Sequence, residues 1–429
     1  MNYEETVAAI QSLEPRGWRL GLDRMQEFAL RAGLKDSLGP ASPSFLHVAG
    51  TNGKGSVTAF LQSMLVESGF LTGAYYSPFV YDVRERWQIG RQMVSKELLA
   101  ELASELWPVG DSLAATAFGG ITEFEFKTGL AFLLFQRKKC DWVALEVGLG
   151  GRLDATNIIE PAAAAVVSIG LDHVSVLGAT HSEIAREKAG VIKQGRPVII
   201  GRLPTEAAAV VHAVAFEQGA PVWEVGKEIA LEPQGDAWRV STPARTYDRV
   251  VTGLVGTWQP HNAAVALGLM DASGATRSTE TNREGLAKAW LPGRMQRCHA
   301  LGRDWILDGA HNAEAGASLR DSLAQSGIQQ VFLLTGMVAG HDQLAFYQTL
   351  ADVVNGVVVT PIQFHRAMPP DVLAGMLTDG LGDVTVTDTL EKAISEALTA
   401  PAHLPILVTG SFYLVGEVGR YLGIGETPS

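Results

Sequence analysis

The stretch Phe45–Ser56, FLHVAGTNGKGS, constrains this chain more than any other. Phe45 to Ala49 is an apolar run of strand length. Gly50, Gly53 and Gly55 follow with Lys54 among them, and Val57–Val66 has the spacing of a helix. A strand, a glycine loop holding a lysine and then a helix make a phosphate cradle. Backbone N–H groups wrap the phosphates, the glycines permit close approach, and the helix N-terminus adds partial positive charge. In such a cradle Asn52 and Gly53 line the turn, Lys54 reaches the outer phosphates, and Ser56 holds a Mg²⁺ ion. The loop departs from GxxxxGK(S/T): the first glycine of that pattern would fall at Val48, and Gly55 separates the lysine from the hydroxyl. Taken alone, a glycine-rich turn with a surface lysine accounts for the stretch nearly as well.

The rest of the chain narrows the classes. Its 429 residues allow two or three domains, and 47% hydrophobic residues suffice for large cores. A formal net charge of −12 argues against a nucleic-acid or anionic-membrane surface. It leaves room for anionic small ligands held by a local cluster of lysine, arginine and metal. Cys140 and Cys298 give neither a disulfide framework nor a metal cluster, which suits a reducing compartment. The start, MNYEETVAAI, lacks the pattern of a signal peptide, and no run approaches the ~18 apolar residues of a spanning helix. The expectation is a cytoplasmic protein.

Three apolar runs carry chemistry at their ends. The first leads into the glycine loop. The second, Asp141–Val147, holds Glu146 near its C-terminal end, where a carboxylate is costly unless paired or metal-bound. The third, Ala162–Ile169, leads to Leu171-Asp172-His173. In a doubly wound sheet, ligands bind outside the carboxyl ends of the strands, so these side chains would converge on one crevice with O and N ligands for a divalent ion. The GLGG at 148–151 is read as tight-turn glycines, since a polar loop, Asp154–Asn157, stands where a Rossmann helix would follow. Thr180 and Glu183 have capping-box spacing, and Lys188 falls on the last turn of that helix, where a cation suits the dipole.

Other stretches stay open. Gly21-Leu22-Asp23-Arg24 begins a helix, and a capping carboxylate with a solvated arginine fits as well as a ligand contact. Leu34–Ser44 is a loop rich in Gly, Pro and Ser. Ala74–Gly90, with Ser77-Pro78 and Arg84-Glu85-Arg86, fits a mobile surface loop or a substrate-covering one. His261 and Asn262 fit N-terminal capping groups of an apolar helix. Leu291–Gln296, LPGRMQ, has the look of a connector, and beyond it strands and helices alternate again. The division drawn from this is residues 1–296 and 297–429.

In family order, the chain carries GTNGKGS at 50–56, SP at 77–78, EVGLGGRLDATN at 146–157, LDH at 171–173, REKAG at 186–190, LPGRMQ at 291–296, DGAHN at 308–312 and TGSFYLVGE at 409–417. This set resembles the folylpolyglutamate synthase and dihydrofolate synthase family of Mur-type ligases. The resemblance implies an α/β architecture, with a P-loop ATPase domain of mainly parallel sheet and a smaller Rossmann-like C-terminal domain. It implies ATP-dependent joining of L-glutamate to dihydropteroate or to a folate's terminal glutamate, through an acyl phosphate and with release of ADP. That places the chain in folate biosynthesis and one-carbon metabolism.

The resemblance also implies roles. Gly53, Lys54, Gly55 and Ser56 match the ATP loop. Ser77, Glu146 and His173 match Mg²⁺ ligands. Lys188 matches a lysine carbamylated in this superfamily, and a monovalent cation is a further implied cofactor. Asn262, Arg294 and Asp308 match nucleotide contacts shared between the domains. Thr122, Phe124, Glu125, Leu153, Asp154 and Ala155 match the pterin side, where Asp23 and Arg24 join them. His311 and Ser411 match positions facing the glutamate or the nucleotide, with His311 in a catalytic role. A monomer acting on small molecules, with no nucleic acid or membrane partner, is the implied state.

Two departures fall in the 77–86 stretch: Phe79 where many relatives have SPH, and Arg84 where they often read NER. Both bear on acceptor preference. A Mur-type ligase with another acceptor, such as a cell-wall peptide precursor, is the alternative, and the GLGGRLDATN and TEFEF segments oppose it. A nucleotide-binding module without turnover would lack a metal ligand or Lys188, and all are present.

Overall fold

The computed structural model describes residues 1–17, 19, 21–39, 43–340 and 342–424. Residues 40–42 of the expected 34–44 loop lie outside the described residues. Two compact units emerge. The first comprises Met1–Pro78, Arg84–Gly253 and Pro260–Ala289; the second comprises Phe79–Val83, Leu254–Gln259 and Trp290–Ser429.

The first unit begins with α1 (Tyr3–Ser12), α2 (Asp23–Arg31), β1 (Ser44–Ala49), α3 (Lys54–Glu67) and β2 (Thr72–Tyr75). There follow β3 (Trp87–Ile89), β4 (Gln92–Met93), α4 (Lys96–Ser112), α5 (Glu123–Lys138), β5 (Trp142–Glu146) and β6 (Ala163–Val166). Next come α6 (Val174–Leu177), α7 (His181–Ala189), β7 (Val198–Ile200), α8 (Thr205–Glu217) and β8 (Val222–Glu224). The strands β9 (Ala230–Gln234), β10 (Ala237–Ser241) and β11 (Thr246–Val250) precede α9 (Gln259–Ala272) and α10 (Thr279–Lys288).

Among the described residues, an eight-stranded sheet has the order β4-β3-β2-β5-β1-β6-β7-β8, parallel except at β3 and β4. Buried on both faces, its central strands read as mainly apolar runs, interrupted by His47 and ending at Glu146, rather than alternating ones. A three-stranded antiparallel sheet, β11-β10-β9, forms the remainder. It is fastened by Asp271, whose buried carboxylate accepts from Thr242, Tyr247 and Thr276 hydroxyls at 2.6–2.7 Å.

Helix α3 is buried along most of its length, from Gly55 through Leu65. It is apolar nearly all round, as a fully covered helix must be. It starts at Lys54 rather than at Val57, because the left-handed Gly53 turns the chain directly into the helix. The capping boxes Thr122/Glu125 and Thr180/Glu183 both form, starting α5 and α7; each cap is worth about 1 kcal/mol. The 74–90 stretch carries regular structure and buried side chains. It contains a turn of 3₁₀ helix at Val83–Arg86 and the strand β3, whose Trp87 is fully buried and donates its indole N–H to Lys127 O at 3.0 Å.

The second unit runs β12 (Gln296–Ala300), β13 (Arg303–Leu307), α11 (Ala313–Gln325), β14 (Val331–Thr335), α12 (Gln343–Gln348) and β15 (Val354–Val359). It ends with α13 (Pro370–Leu381), β16 (Val384–Val386), α14 (Leu390–Thr399), β17 (Ile406–Thr409) and α15 (Phe412–Tyr421). Among the described residues its six strands are ordered β12-β13-β17-β14-β15-β16, and only β12 is antiparallel to its neighbour. The Gln296 end of the expected connector is thus the first residue of an edge strand. This is the doubly wound α/β class anticipated for both units. Among the described residues no helix is long and apolar enough to cross a membrane.

Candidate active site

Four neighbouring parallel strands, β2, β5, β1 and β6, end at one rim of the first unit's sheet. After β2 comes Ser77; β5 ends on Glu146; β1 leads into the 50–56 loop; β6 leads toward His173. Register sets the heights, with Val48 opposite Glu146 on one side and opposite Ala165 on the other. The order of the strands, rather than any local motif, makes these four segments neighbours.

The loop is pinned before any ligand arrives. Ser168 Oγ accepts from Asn52 N at 2.9 Å and donates to Asn52 O at 2.8 Å. Thr51 Oγ1 accepts from Gly170 N at 3.0 Å, and Thr51 N donates to Ser168 O at 2.9 Å. Gly53 has φ +82°, which only glycine adopts cheaply. A Cβ there would also stand 2.7 Å from Asn262 Oδ1. Asn262 is therefore beside the loop, inside the first turn of α9 rather than at its cap, since the helix begins at Gln259.

Two ammonium groups meet at one carbonyl. Lys54 Nζ donates to Gly50 O at 2.9 Å and to Thr51 O at 3.1 Å, and Lys188 Nζ donates to the same Gly50 O at 3.0 Å. Lys54 is half-buried and folded onto its own loop; Lys188 is 4% exposed. Burial first, and then the Lys54 charge, lower the Lys188 pKa to about 7, against the pull of Asp172 and Asp154. A dipole cation on a solvated last turn is thus the wrong picture for Lys188. Helix α7 reaches this depth because Gly151 lies against it: a Cβ at Gly151 would be 2.8 Å from Lys188 O.

Glu146 is 4% exposed and accepts from Ser77 N at 3.0 Å. Its negative charge holds the buried Tyr76 phenol well above its usual range, second only to burial itself. His173 has φ +51°, a left-handed conformation that costs a non-glycine residue of order 1 kcal/mol and concentrates at functional sites. Among the described residues no group of three or more His, Cys, Asp or Glu forms a metal cluster. Ser56 is buried in the first turn of α3.

On the other flank, Arg24 is not solvated. Its Nε donates to both oxygens of Glu125 at 3.0 and 2.7 Å, and Glu125 Oε2 also accepts from Thr122 N and Oγ1 at 2.8 and 2.7 Å. Asp23 is exposed at the start of α2. Asp154 is buried, as are Ala155, Thr156 and Asn157, so the expected polar loop is an inner one. Its carboxylate accepts from Leu149 N, Thr156 N and Thr156 Oγ1 at 2.9, 3.0 and 2.5 Å. Half-buried Phe124 lies over Gly148, and half-buried Leu153 precedes Asp154. Thr51, Ser168 and Thr156 escaped the sequence reading, and so did His47. The one polar residue inside the apolar FLHVA run was the available signal for His47.

In the second unit, Asp308 is buried and accepts from Met295 N at 2.8 Å and Ala310 N at 2.9 Å. Burial raises its pKa despite the Arg294 guanidinium. Arg294 lies 4.7 Å above the Phe412 ring. His311 Nδ1 donates to Gly309 O at 2.7 Å, and Ser411 caps α15 by accepting from Tyr413 N.

The Mur ligase middle domain family matches residues 48–270, and the Mur ligase glutamate ligase domain family matches residues 293–412. The chain is 37% identical to the dihydrofolate synthase/folylpolyglutamate synthase of Bacillus subtilis, over 98% of this chain and 99% of that one. The chain belongs to this family of Mur ligases. Escherichia coli FolC, solved with DHPP and ADP, superposes with a TM-score of 0.87 at 32% identity, covering 99% of this chain and 98% of that one. A bifunctional folylpolyglutamate synthase/dihydrofolate synthase solved with Mn, AMPPNP and L-glutamate gives 0.85 at 32%, covering 98% of each chain.

Proposed function

We propose that this Mur ligase uses ATP to join L-glutamate to dihydropteroate, to folate polyglutamates, or to both, releasing ADP and phosphate. The observation that carries the reading is the single rim bearing the lysine loop, the buried Glu146 and the strained His173. A carboxylate is a poor electrophile, so its oxygen must first take a phosphoryl group; the glutamate amine then displaces phosphate. Asn52, Gly53 and Gly55 present N–H groups to the phosphates, as does the start of α3, beside Asn262. Lys54 leaves the Gly50 and Thr51 carbonyls for the outer phosphate, where it holds the charge that builds in the transition state. Ser56, Ser77, Glu146 and His173 would hold Mg²⁺, which supplies further charge neutralisation on the phosphates. Arg294 and Asp308 are assigned to the nucleotide, and His311 and Ser411 to the glutamate or the nucleotide. Asp23, Arg24, Thr122, Phe124, Glu125, Leu153, Asp154 and Ala155 are assigned to the acceptor side. For Arg24 and Glu125, already paired, the support is for shaping that side. A cytoplasmic monomer is the proposed state.

Purified protein given ATP, Mg²⁺ and glutamate is expected to release ADP when dihydropteroate or tetrahydrofolate is added, with a glutamylated product by mass. Release of ADP with a cell-wall peptide precursor and with neither pterin would favour the alternative acceptor class.

Lys188 is proposed to carry a carbamate. Only a neutral amine adds to carbon dioxide, and a pKa of about 7 keeps a large neutral fraction at physiological pH. Protein equilibrated with ¹³C-bicarbonate is expected to show a carbamate carbonyl resonance that Lys188→Arg lacks. Identical spectra for the two proteins would rule this out.

A further inference from the structure

We infer that His47 is a positioning residue for the acceptor side, holding the Asp154 carboxylate through the Thr156 hydroxyl. The inference rests on the assignment of Asp154 to that side. His47 is 0% exposed in a central strand, in register with Leu145 of β5 and Ala164 of β6. An apolar side chain would be cheaper at such a position. Its Nε2 lies 2.9 Å from Thr156 Oγ1.

The tautomer follows from the partner. With Asp154 ionised, the one hydroxyl proton of Thr156 goes to Asp154 Oδ1 at 2.5 Å; burial raises the Asp154 pKa against the hydrogen bonds that it accepts. The Thr156 oxygen must then accept, so the His47 proton sits on Nε2. Nδ1 is left as a bare acceptor, and it has no hydrogen-bond partner among the described residues. Burial, with Lys193 second, lowers the ring pKa to about 3, so the imidazole is neutral under all working conditions. The Nε2–H of His47 therefore has one task, which is to occupy the Thr156 oxygen and direct its proton at Asp154. Asp154 in turn caps the 3₁₀ turn Ala155–Ile158. The strand that bears the phosphate loop thus fixes the acceptor-side carboxylate as well. One rigid element sets both positions: His47 stands two residues before Ala49, and its partner Thr156 two residues after Asp154.

Steady-state kinetics at saturating ATP and glutamate test this, with dihydropteroate and tetrahydrofolate as acceptors. His47→Val is expected to raise the acceptor KM roughly three- to tenfold, the worth of one buried hydrogen bond. The KM for ATP should stay within about twofold. His47→Gln, which keeps a donor near the Nε2 position, should restore the acceptor KM. Thr156→Val should reproduce the His47→Val effect, and the double variant should add nothing to it. Thr156→Val also carries the test should His47→Val fail to fold. Equal rises in the KM for ATP and acceptor, or a Gln variant no better than Val, would reduce His47 to a packing residue. Asp154→Asn separates the two layers. If it leaves the acceptor KM unchanged, the acceptor-side assignment falls and the inference falls with it. If it raises that KM while His47→Val and Thr156→Val do not, the assignment stands and the relay is overturned.

Discussion

Lys54→Ala is expected to lower kcat for ADP formation by roughly 10²–10³-fold while leaving the fold intact. The side chain donates to Gly50 O and Thr51 O, both within its own loop. The loop is held independently by Thr51, Asn52, Ser168 and Gly170, so removing the ammonium does not release it. What is lost is a positive charge that can travel from two backbone carbonyls to a phosphoryl oxygen. Because that charge is used most as the phosphoryl group transfers, the loss should appear in kcat more than in the KM for ATP. Circular dichroism and thermal unfolding report the fold; a coupled ADP assay reports the rate. A variant that turns over normally would remove the phosphate loop from the mechanism. A variant that binds nucleotide poorly but has normal kcat would make Lys54 a simple binding group.

Glu146→Gln should be nearly as damaging by a different route. The amide oxygen can still accept the Ser77 N–H, so the local geometry survives. The negative charge does not, and the proposed Mg²⁺ site loses a deeply buried carboxylate. The half-saturating Mg²⁺ concentration is expected to rise by on the order of tenfold or more, with kcat reduced even at saturation. Stability should hold or rise, since a buried charge has been exchanged for a neutral group of the same shape. An unaltered Mg²⁺ titration would mean that Glu146 serves only to hold Ser77.

Much of this was legible because the central strands are covered on both faces. Phe45–Ala49, Asp141–Val147 and Ala162–Ile169 read as apolar runs, and their strand ends could be ranked for chemistry. What stayed hidden depended on the third dimension. The Arg24–Glu125 pair joins residues far apart in sequence, and nothing near Arg24 marks it as buried. Lys188 carries the signature of a surface cation; only its packing against Gly151 takes it inside. Strands β3 and β12 are short antiparallel additions whose polar residues give no run and no clear alternation. The start of α3 lies in Lys54-Gly55-Ser56, where the poor helix former Gly55 breaks the pattern and the Gly53 turn sets the start. His47 lies within an apolar run, and nothing in its neighbours marks it as a polar contact.

In the proposed reaction the acceptor carboxylate is phosphorylated before the amine attacks. Acceptor labelled with ¹⁸O in its reacting carboxylate tests it most directly, by mass analysis of the phosphate released. Each turnover should transfer one ¹⁸O to phosphate, because the carboxylate oxygen that takes the phosphoryl group leaves with it. Phosphate free of label, with glutamylated product formed, would contradict the account.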